Sequence, residues 1–385
     1  MHFDPAKENI NGTKLIKNAP MTITFLLVFG SYFLFLMTLL YGWEKILGAP
    51  QSQSENSQSI SVIVPFRNES SNLKSLIHSL SMLRYPKDKL EVILVNDHST
   101  DNSVKILNSY PGNFKTIDLG IDESGKKAAL TKGIEAATSE VIITTDADCQ
   151  HNPDWLNSVN SLFNDAKVSM VLGGVAMSDS QSFFSRSQAI EFASLIGSGA
   201  SLLYWGIPAM ANGANLAFRR NAFFEVKGYE GNEGVASGDD VYLLQKIFFR
   251  YPDGVVFNND PNSVVSTIPQ PSLASFFQQR FRWAGKWKYQ NNSSVKWAAV
   301  SVFFFQMAFL GSFSYYLITH NRLILILLFS KAVLESIFLS RVCEFLNVRL
   351  KLLPFAFLQI IYPLYVVITA IGSIQLPFEW KGRKY

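Results

Sequence analysis

Four apolar runs decide what this chain can become. Met21 to Tyr41 carries no charge, and at roughly 20 residues per crossing it is long enough to span a bilayer. Trp297 to Thr319 is a second run. Leu323 to Ser340 is a third, interrupted by Lys331 and Glu335, and Leu352 to Ile374 is a fourth, containing Pro354 and Pro363. Between the first and second lies a long block of mixed polarity. The chain therefore divides into an N-terminal tail and anchor (1–47), a linker (48–59), a folded domain (60–290) and a C-terminal membrane bundle of about three helices (291–385). The first run is too long for a signal-peptide core and no small-residue cleavage pattern follows it, so a retained anchor is expected.

Charge and cysteine usage exclude other classes. The net charge is +4, with no long basic run, so nucleic acid is not an expected partner; membrane lipid is. The two cysteines, Cys149 and Cys343, lie in different regions and form no disulfide framework. Cys149 lacks His or Cys partners at metal-site spacing and reads as a small buried residue.

Within the domain, strands and helices alternate. Ile60 to Pro65, Leu90 to Val95 and Val141 to Thr145 read as buried β-branched strands. Asn68 to Leu83 places Leu73, Leu76, Ile77, Leu80 and Leu83 at helical spacing, a short helix starts at Asp101, and another opens at Gly125. Val168 to Val175 reads as one further strand. Phe183 to Leu203 fits either an amphipathic helix at the membrane surface or an ordinary core helix. The alternation predicts an α/β domain with a mostly parallel sheet. Ligands of such sheets bind beyond the carboxyl ends of the strands, where Asp97, Asp146 and Asp148 all fall. Two carboxylates one residue apart at a strand end suit a hard divalent cation shared with a diphosphate.

Six segments, in order, resemble glycosyltransferase family 2 with its GT-A fold. They are Ser61–Glu69 (SVIVPFRNE), Val95–Asp101 (VNDHSTD), Gly125–Leu130 (GKKAAL), Thr145–Asp148 (TDAD), Gly238–Asp240 (GDD) and Gln279–Trp283 (QRFRW). The last fits the Q-x-x-R-W pattern of membrane-bound polysaccharide synthases. The resemblance implies an inverting, hexosyltransferase-type enzyme that uses a nucleotide sugar, most simply UDP-linked, with Mg²⁺ or Mn²⁺. Donor-side residues would be Pro65, Glu69, Asp97, Lys126, Asp146, Asp148 and Arg282, with Asp146 and Asp148 at the metal. Asp240 would be the general base, with Asp239 beside it. Gln279, Trp283 and Asn215 would face a carbohydrate or glycolipid acceptor.

Several readings stay open on sequence. Glu69 equally suits a helix-initiating acid, and Lys127 competes with Lys126. The chain has Asn96 where relatives often carry an acid, and Asp239 where they carry Glu. Trp287 and Lys288 read as interfacial anchors. Lys331 and Glu335, four apart, form either a structural ion pair or part of a product path. Lys7, Lys14, Lys17, Lys381, Arg383 and Lys384 favour cytoplasmic termini. Arg280, Arg282, Lys286, Lys288 and Lys296 crowd the domain side of the second run. Nucleotide-sugar chemistry demands a cytoplasmic catalytic domain, so one apolar segment, the first or the fourth, is expected to be re-entrant or interfacial. A membrane partner subunit would complete a polymer channel that so few helices cannot form. The competing functions are a catalytically silent scaffold and a nucleotide-regulated transporter; the spans show no paired repeats of the transporter kind.

Overall fold

A computed structural model describes residues 5–50, 56–110, 114–178, 181–232, 238–285, 292–375, 379–380 and 383–384. Lys286, Trp287, Lys288 and Lys381 lie outside the described residues, as do residues 51–55 of the linker; the side chains of Lys7, Lys14, Lys17, Arg383 and Lys384 are likewise not described. The chain opens with α1 (Pro5–Leu47), β1 (Ile60–Phe66), α2 (Leu73–Ser81), β2 (Leu90–Asn96), α3 (Ser103–Ser109) and β3 (Phe114–Asp118). It continues with α4 (Lys126–Ala136), β4 (Val141–Thr144), α5 (Trp155–Leu162), β5 (Met170–Leu172), β6 (Val175–Met177) and α6 (Phe183–Tyr204). Then come β7 (Leu216–Arg219), α7 (Arg220–Glu225), α8 (Asp239–Arg250), β8 (Val255–Phe257), β9 (Val265–Thr267) and α9 (Leu273–Gly285). Three long helices follow, α10 (Ser293–Thr319), α11 (Arg322–Phe345) and α12 (Leu352–Gln375), and then two short paired strands, β10 (Glu379–Trp380) and β11 (Arg383–Lys384).

The main sheet has the order β3-β2-β1-β4-β7-β5-β8. β1 pairs in parallel with both β2 and β4, and β2 with β3, as the strand–helix alternation requires. Alternate side chains of these strands serve opposite faces. Val62, Leu94 and Ile143 pack with Leu76 and Trp155 under α2 and α5. Ile63, Ile93 and Ile142 pack with Leu130 of α4 and Leu244 of α8 on the other side. Both faces are covered, so the strands are apolar throughout rather than alternating.

Two local expectations need correction. The helix expected from Asn68 begins at Leu73, because residues 68–72 form a turn in which the Asn68 side chain accepts from the Thr100 backbone. The single strand expected over Val168 to Val175 is two strands. Met170–Leu172 joins the main sheet, and Val175–Met177 pairs with β9 in a separate two-stranded sheet. The segment after Asn215 is β7, which runs antiparallel between β4 and β5. It interrupts the otherwise parallel order and brings residues 212–215 to the same edge as the ends of β1, β2 and β4.

Four helices are long and apolar enough to cross a membrane: Pro20–Leu47, Ser293–Thr319, Arg322–Phe345 and Leu352–Ser373. α12 continues through Pro363 without a break, and packs on α6, α9 and α10. α6 is an internal helix whose Ala189 and Phe192 join the sheet core. It lies between domain and bundle, where Ile190 and Ala193 meet Trp43 of α1 and Val342 of α11. Inside the bundle, the Lys331 ammonium donates to Glu335 and to Gln359 Oε1, each at 2.9 Å, and Gln359 returns a 2.7 Å bond to Glu335. Tyr32 of α1 also donates to Glu335. With its groups paired among themselves, this cluster ties three helices together, the arrangement that a charge pair within a bundle requires.

α6 and α11 approach closely at Gly197, where an added Cβ would stand 2.4 Å from a methyl of Val342. Gly197→Val is expected to destabilise the purified protein by about 1–3 kcal/mol through overpacking. Gly30→Val, with open space around it, should shift stability by less than about 0.5 kcal/mol. Thermal unfolding in detergent micelles checks both.

Candidate active site

The parallel register decides where the functional groups meet. Ile63 lies beside both Ile93 and Thr144, so β1, β2 and β4 finish at one sheet edge. Pro65, Asp97, Asp146 and Asp148 follow from those ends. Because β7 runs the other way, its start, Leu216, pairs with Thr144 at the same edge. Two helices then aim their first turns into the crevice. Each is entered through a glycine in the left-handed region, Gly125 at φ 93° before α4 and Gly238 at φ 90° before α8. A side chain at either position would be strained. These turns place Lys126 in one case and Asp239 and Asp240 in the other.

The result is one cavity of about 1090 Å³. Pro65, Glu69, Asp97, Lys126, Asp146, Asp148, Asp239, Asp240, Gln279, Arg282 and Trp283 all line it. Asn215 does not. Its amide is 2% exposed; it donates to the carbonyls of Gly174 and Ser263, both at 2.8 Å, and accepts from Trp155 Nε1 at 3.0 Å. With its hydrogen-bonding groups engaged inside the core, Asn215 joins β7 to neighbouring loops and is removed from the acceptor set. The cavity wall at this point is formed by Asn212, Gly213 and Ala214 instead.

The electrostatics centre on Lys126. Its ammonium lies 2.6 Å from Asp146 Oδ1 and 3.8 Å from Asp239 Oδ2. Burial works against the charged lysine, but the carboxylates of Asp146, Asp239 and Asp240 outweigh it and raise its pKa above the usual range. Lys127 instead donates to the backbone carbonyl of Asn232, so of the two lysines it is Lys126 that lines the cavity. The Asp148 carboxyl is pushed up to about 6, first by burial and then by the negative charges of Asp146 and Glu69. Asp97 accepts from the Gly125 amide at 3.1 Å and faces Arg67 at 4.0 Å. Asn96 does not contribute to this charge. Its amide donates to Asp118 at 2.7 Å and accepts from the Ser99 amide, holding the end of β2 to β3.

Among the described residues, no three Asp, Glu, His or Cys side chains converge into a self-sufficient metal site. Asp146 and Asp148 nevertheless fit Mg²⁺ or Mn²⁺. Both offer oxygen and both line the cavity, and Asp148, whose pKa is raised first by burial and then by the charges of Asp146 and Glu69, would keep its carboxylate form more readily with a cation beside it. Mg²⁺ commonly takes one or two carboxylates and completes its shell with substrate phosphate and water. The set therefore suits an ion that arrives with a diphosphate.

Two supporting groups escaped the sequence reading. Glu191 of α6 and Arg280 of α9 form a buried ion pair, 3% and 2% exposed. Tyr365 of α12 donates to the same glutamate at 3.1 Å. Arg280 in turn lies 4.3 Å from the centre of the Trp283 ring and donates to Gln279 at 2.6 Å. The signal was an isolated acid, Glu191, in an apolar stretch. The other group is His151, which bonds Thr145 at 2.9 Å and stacks on Trp155, backing the loop that carries Asp146. Burial lowers its pKa to about 3, so it is neutral.

Residues 61–226 match the model of the family described as Glycosyl transferase family 2. Among curated relatives, the poly-β-1,6-N-acetyl-D-glucosamine synthase of Staphylococcus aureus (strain COL) is 26% identical over 271 residues, which cover 69% of this chain and 63% of that protein. The synthase of the same name from Staphylococcus epidermidis is 27% identical over 239 residues, 61% of this chain and 56% of the relative. The chain thus spans less than two thirds of the relatives it matches. Among solved structures, the mannosyltransferase PcManGT from Pyrobaculum calidifontis, in complex with GDP-Man and Mn²⁺, superposes with a TM-score of 0.59 at 18% identity. The match covers 91% of this chain and 98% of that one. The domain has the GT-A fold.

Since the Asp148 carboxyl holds a proton below about pH 6, protons and metal should compete there. Affinity for Mn²⁺ in the presence of UDP is expected to fall about tenfold per pH unit below that value and to level off above about pH 7. Calorimetric titration between about pH 5 and about pH 8, run on wild type and Asp148→Ala so that the titration of UDP itself is subtracted, checks this; a fall below about pH 6 that is the same in both proteins overturns the assignment to Asp148.

Proposed function

We propose, for a chain whose residues 61–226 match the glycosyl transferase family 2 model, that it is a membrane-anchored inverting glycosyltransferase. It moves a sugar from a nucleotide sugar, UDP-linked in the simplest case, to an acceptor hydroxyl on a carbohydrate or glycolipid. The observation that carries this reading is the convergence of Asp97, Asp146, Asp148, Asp239, Asp240 and Arg282 on one cavity. The synthase names of the staphylococcal relatives support a polysaccharide-building role and, by analogy, an N-acetylglucosamine donor.

The residues divide the work as follows. Asp97, buried at the end of β2, accepts from the base or ribose of the donor. Arg282 presents its guanidinium to diphosphate oxygens, a planar match for phosphate. Asp146 and Asp148 would hold Mg²⁺ or Mn²⁺, which when bound offsets the charge gathering on the departing diphosphate. Lys126, already against Asp146, adds a second positive charge at a helix N-terminus that itself favours phosphate. Asp240 takes the proton from the acceptor hydroxyl as its oxygen attacks the anomeric carbon. Trp283, held face-on by Arg280, offers an apolar plane to the sugar. One displacement inverts the anomeric centre.

The domain is assigned to the cytoplasm, where nucleotide sugars are available. A cysteine introduced at Ser57 is expected to stay unlabelled by a membrane-impermeant maleimide in intact cells and to react after permeabilisation. The native Cys149 and Cys343 are buried and give little background. Labelling in intact cells overturns the placement. For catalysis, Asp240→Asn is expected to lower sugar transfer by about 10²–10⁴-fold while UDP binding persists. Asp148→Ala should remove Mn²⁺-dependent UDP release. Absence of metal-dependent UDP release by the wild type across a panel of UDP-sugars would favour the silent-scaffold reading.

A further inference from the structure

The cavity that gathers the carboxylates does not stop at the domain. It continues between α10 and α12, with α6 on a third side. At about 1090 Å³ it exceeds the roughly 300–1,000 Å³ of a usual small-ligand site. It has room for a donor and for part of a second molecule.

The chemistry of the walls changes along its length. Every α10 residue that lines it is Val, Ala or Phe. Val295, Ala299 and Val302 recur at helical spacing, so one face of the helix is turned to the cavity. α12 answers with Val366 and Ala370. Polar groups on that face are mostly engaged: Tyr365 donates to Glu191, and Ser373 bonds back to the Ala370 carbonyl at 2.8 Å. The Thr369 hydroxyl is buried and, among the described residues, has no hydrogen-bond partner. Phe304 lines the same cavity yet is 64% exposed. The cavity therefore opens sideways on a helix long and apolar enough to lie in a bilayer.

A saccharide chain carries hydroxyls on every residue, and the α10 wall offers them no partner. A hydrocarbon chain has nothing to lose there and gains by leaving water. Resting on the glycosyl-transfer reading of the carboxylate end, we propose that the acceptor is a lipid. Its hydroxyl-bearing head reaches Asp240, and its hydrocarbon tail lies in the α10–α12 section of the cavity, entering past Phe304. In the transfer, the head-group oxygen forms the new bond to the anomeric carbon and its proton passes to Asp240. The bond from that carbon to the diphosphate breaks, and the nucleoside diphosphate leaves with the electron pair.

The test uses the full chain in lipid nanodiscs. Two probes, hexadecanol and farnesol each carrying a diazirine and an alkyne, distinguish acyl-type from isoprenoid tails. Irradiation and peptide mapping are expected to place adducts on the cavity-facing positions of α10 and α12, with the better-fitting tail giving the heavier labelling. Ala299→Trp and Ala370→Trp, on opposite walls, should each cut those adducts at least fivefold. Phe329→Trp, on the exposed face of α11, should leave them unchanged. Thermal unfolding of each variant separates blockage from misfolding. In a second arm, sugar transfer to alkyl glucosides should rise at least tenfold from butyl to dodecyl, and Ala299→Trp should flatten that rise. Adducts confined to the outer surface, or transfer to free oligosaccharides as efficient as to the dodecyl glucoside, overturns the proposal. If the wild type turns over no donor, the glycosyl-transfer reading fails separately, and the adduct map still decides whether the tail site exists.

Discussion

Lys126 stands where the site's acidic groups converge. Asp146 and Asp148 from the end of β4, and Asp239 and Asp240 from the first turn of α8, reach one cavity together with Asp97 from the end of β2, and like charges at such range resist assembly. The lysine bridges two of those elements, from the end of β4 to the first turn of α8. Its position follows from Gly125, whose left-handed backbone lets α4 begin at the crevice, and from Ala129, Leu130 and Ile134, which bury the helix against the sheet. The same lysine that holds the carboxylates together is the one to which the proposed function gives the donor's phosphates.

A buried charge pair does for the domain and bundle what Lys126 does for the crevice. Glu191 and Arg280 join α6 to α9, and Tyr365 brings in α12. Removing one partner from such a pair leaves an uncompensated charge, at a cost of about 3–5 kcal/mol. Because Arg280 also packs on Trp283 and bonds Gln279, the acceptor side of the site is oriented by contacts that reach into the membrane helices. Gly372 shows how close this approach is: an added Cβ there would stand 2.4 Å from the Phe281 ring. The cavity can be continuous from sheet edge to bundle only because these helices are locked at this distance.

Much of this was legible in the chain. β1, β2 and β4 announce themselves as unbroken β-branched runs because both faces of the sheet are covered. The four long helices are visible as hydropathy. Asp97, Asp146 and Asp148 follow strand ends that must share an edge once the strands are parallel. The short strands were legible only in part: β5 lies within the strand expected over Val168 to Val175, but its separation from β6 and the existence of β7 were not. β7 has four residues and β5 and β6 three each, too few for periodicity to register. Asn215 was expected on the acceptor side from the resemblance alone; it stands immediately before β7, and the contacts that hold its amide in the core come from Gly174, Ser263 and Trp155, all distant in sequence.

By itself, then, the amino-acid order determined the division into anchor, α/β domain and membrane helices, and the types of group available for metal, phosphate and proton transfer. Those properties rest on hydropathy, local period and side-chain chemistry, which each residue or its near neighbours carry. Only the tertiary structure decided that Lys126 rather than Lys127 meets the carboxylates, that Asn215 is structural, and that the cavity runs on between α10 and α12. Each depends on contacts between residues far apart in sequence. Such contacts are set by how whole helices and strands pack, and no local pattern encodes them.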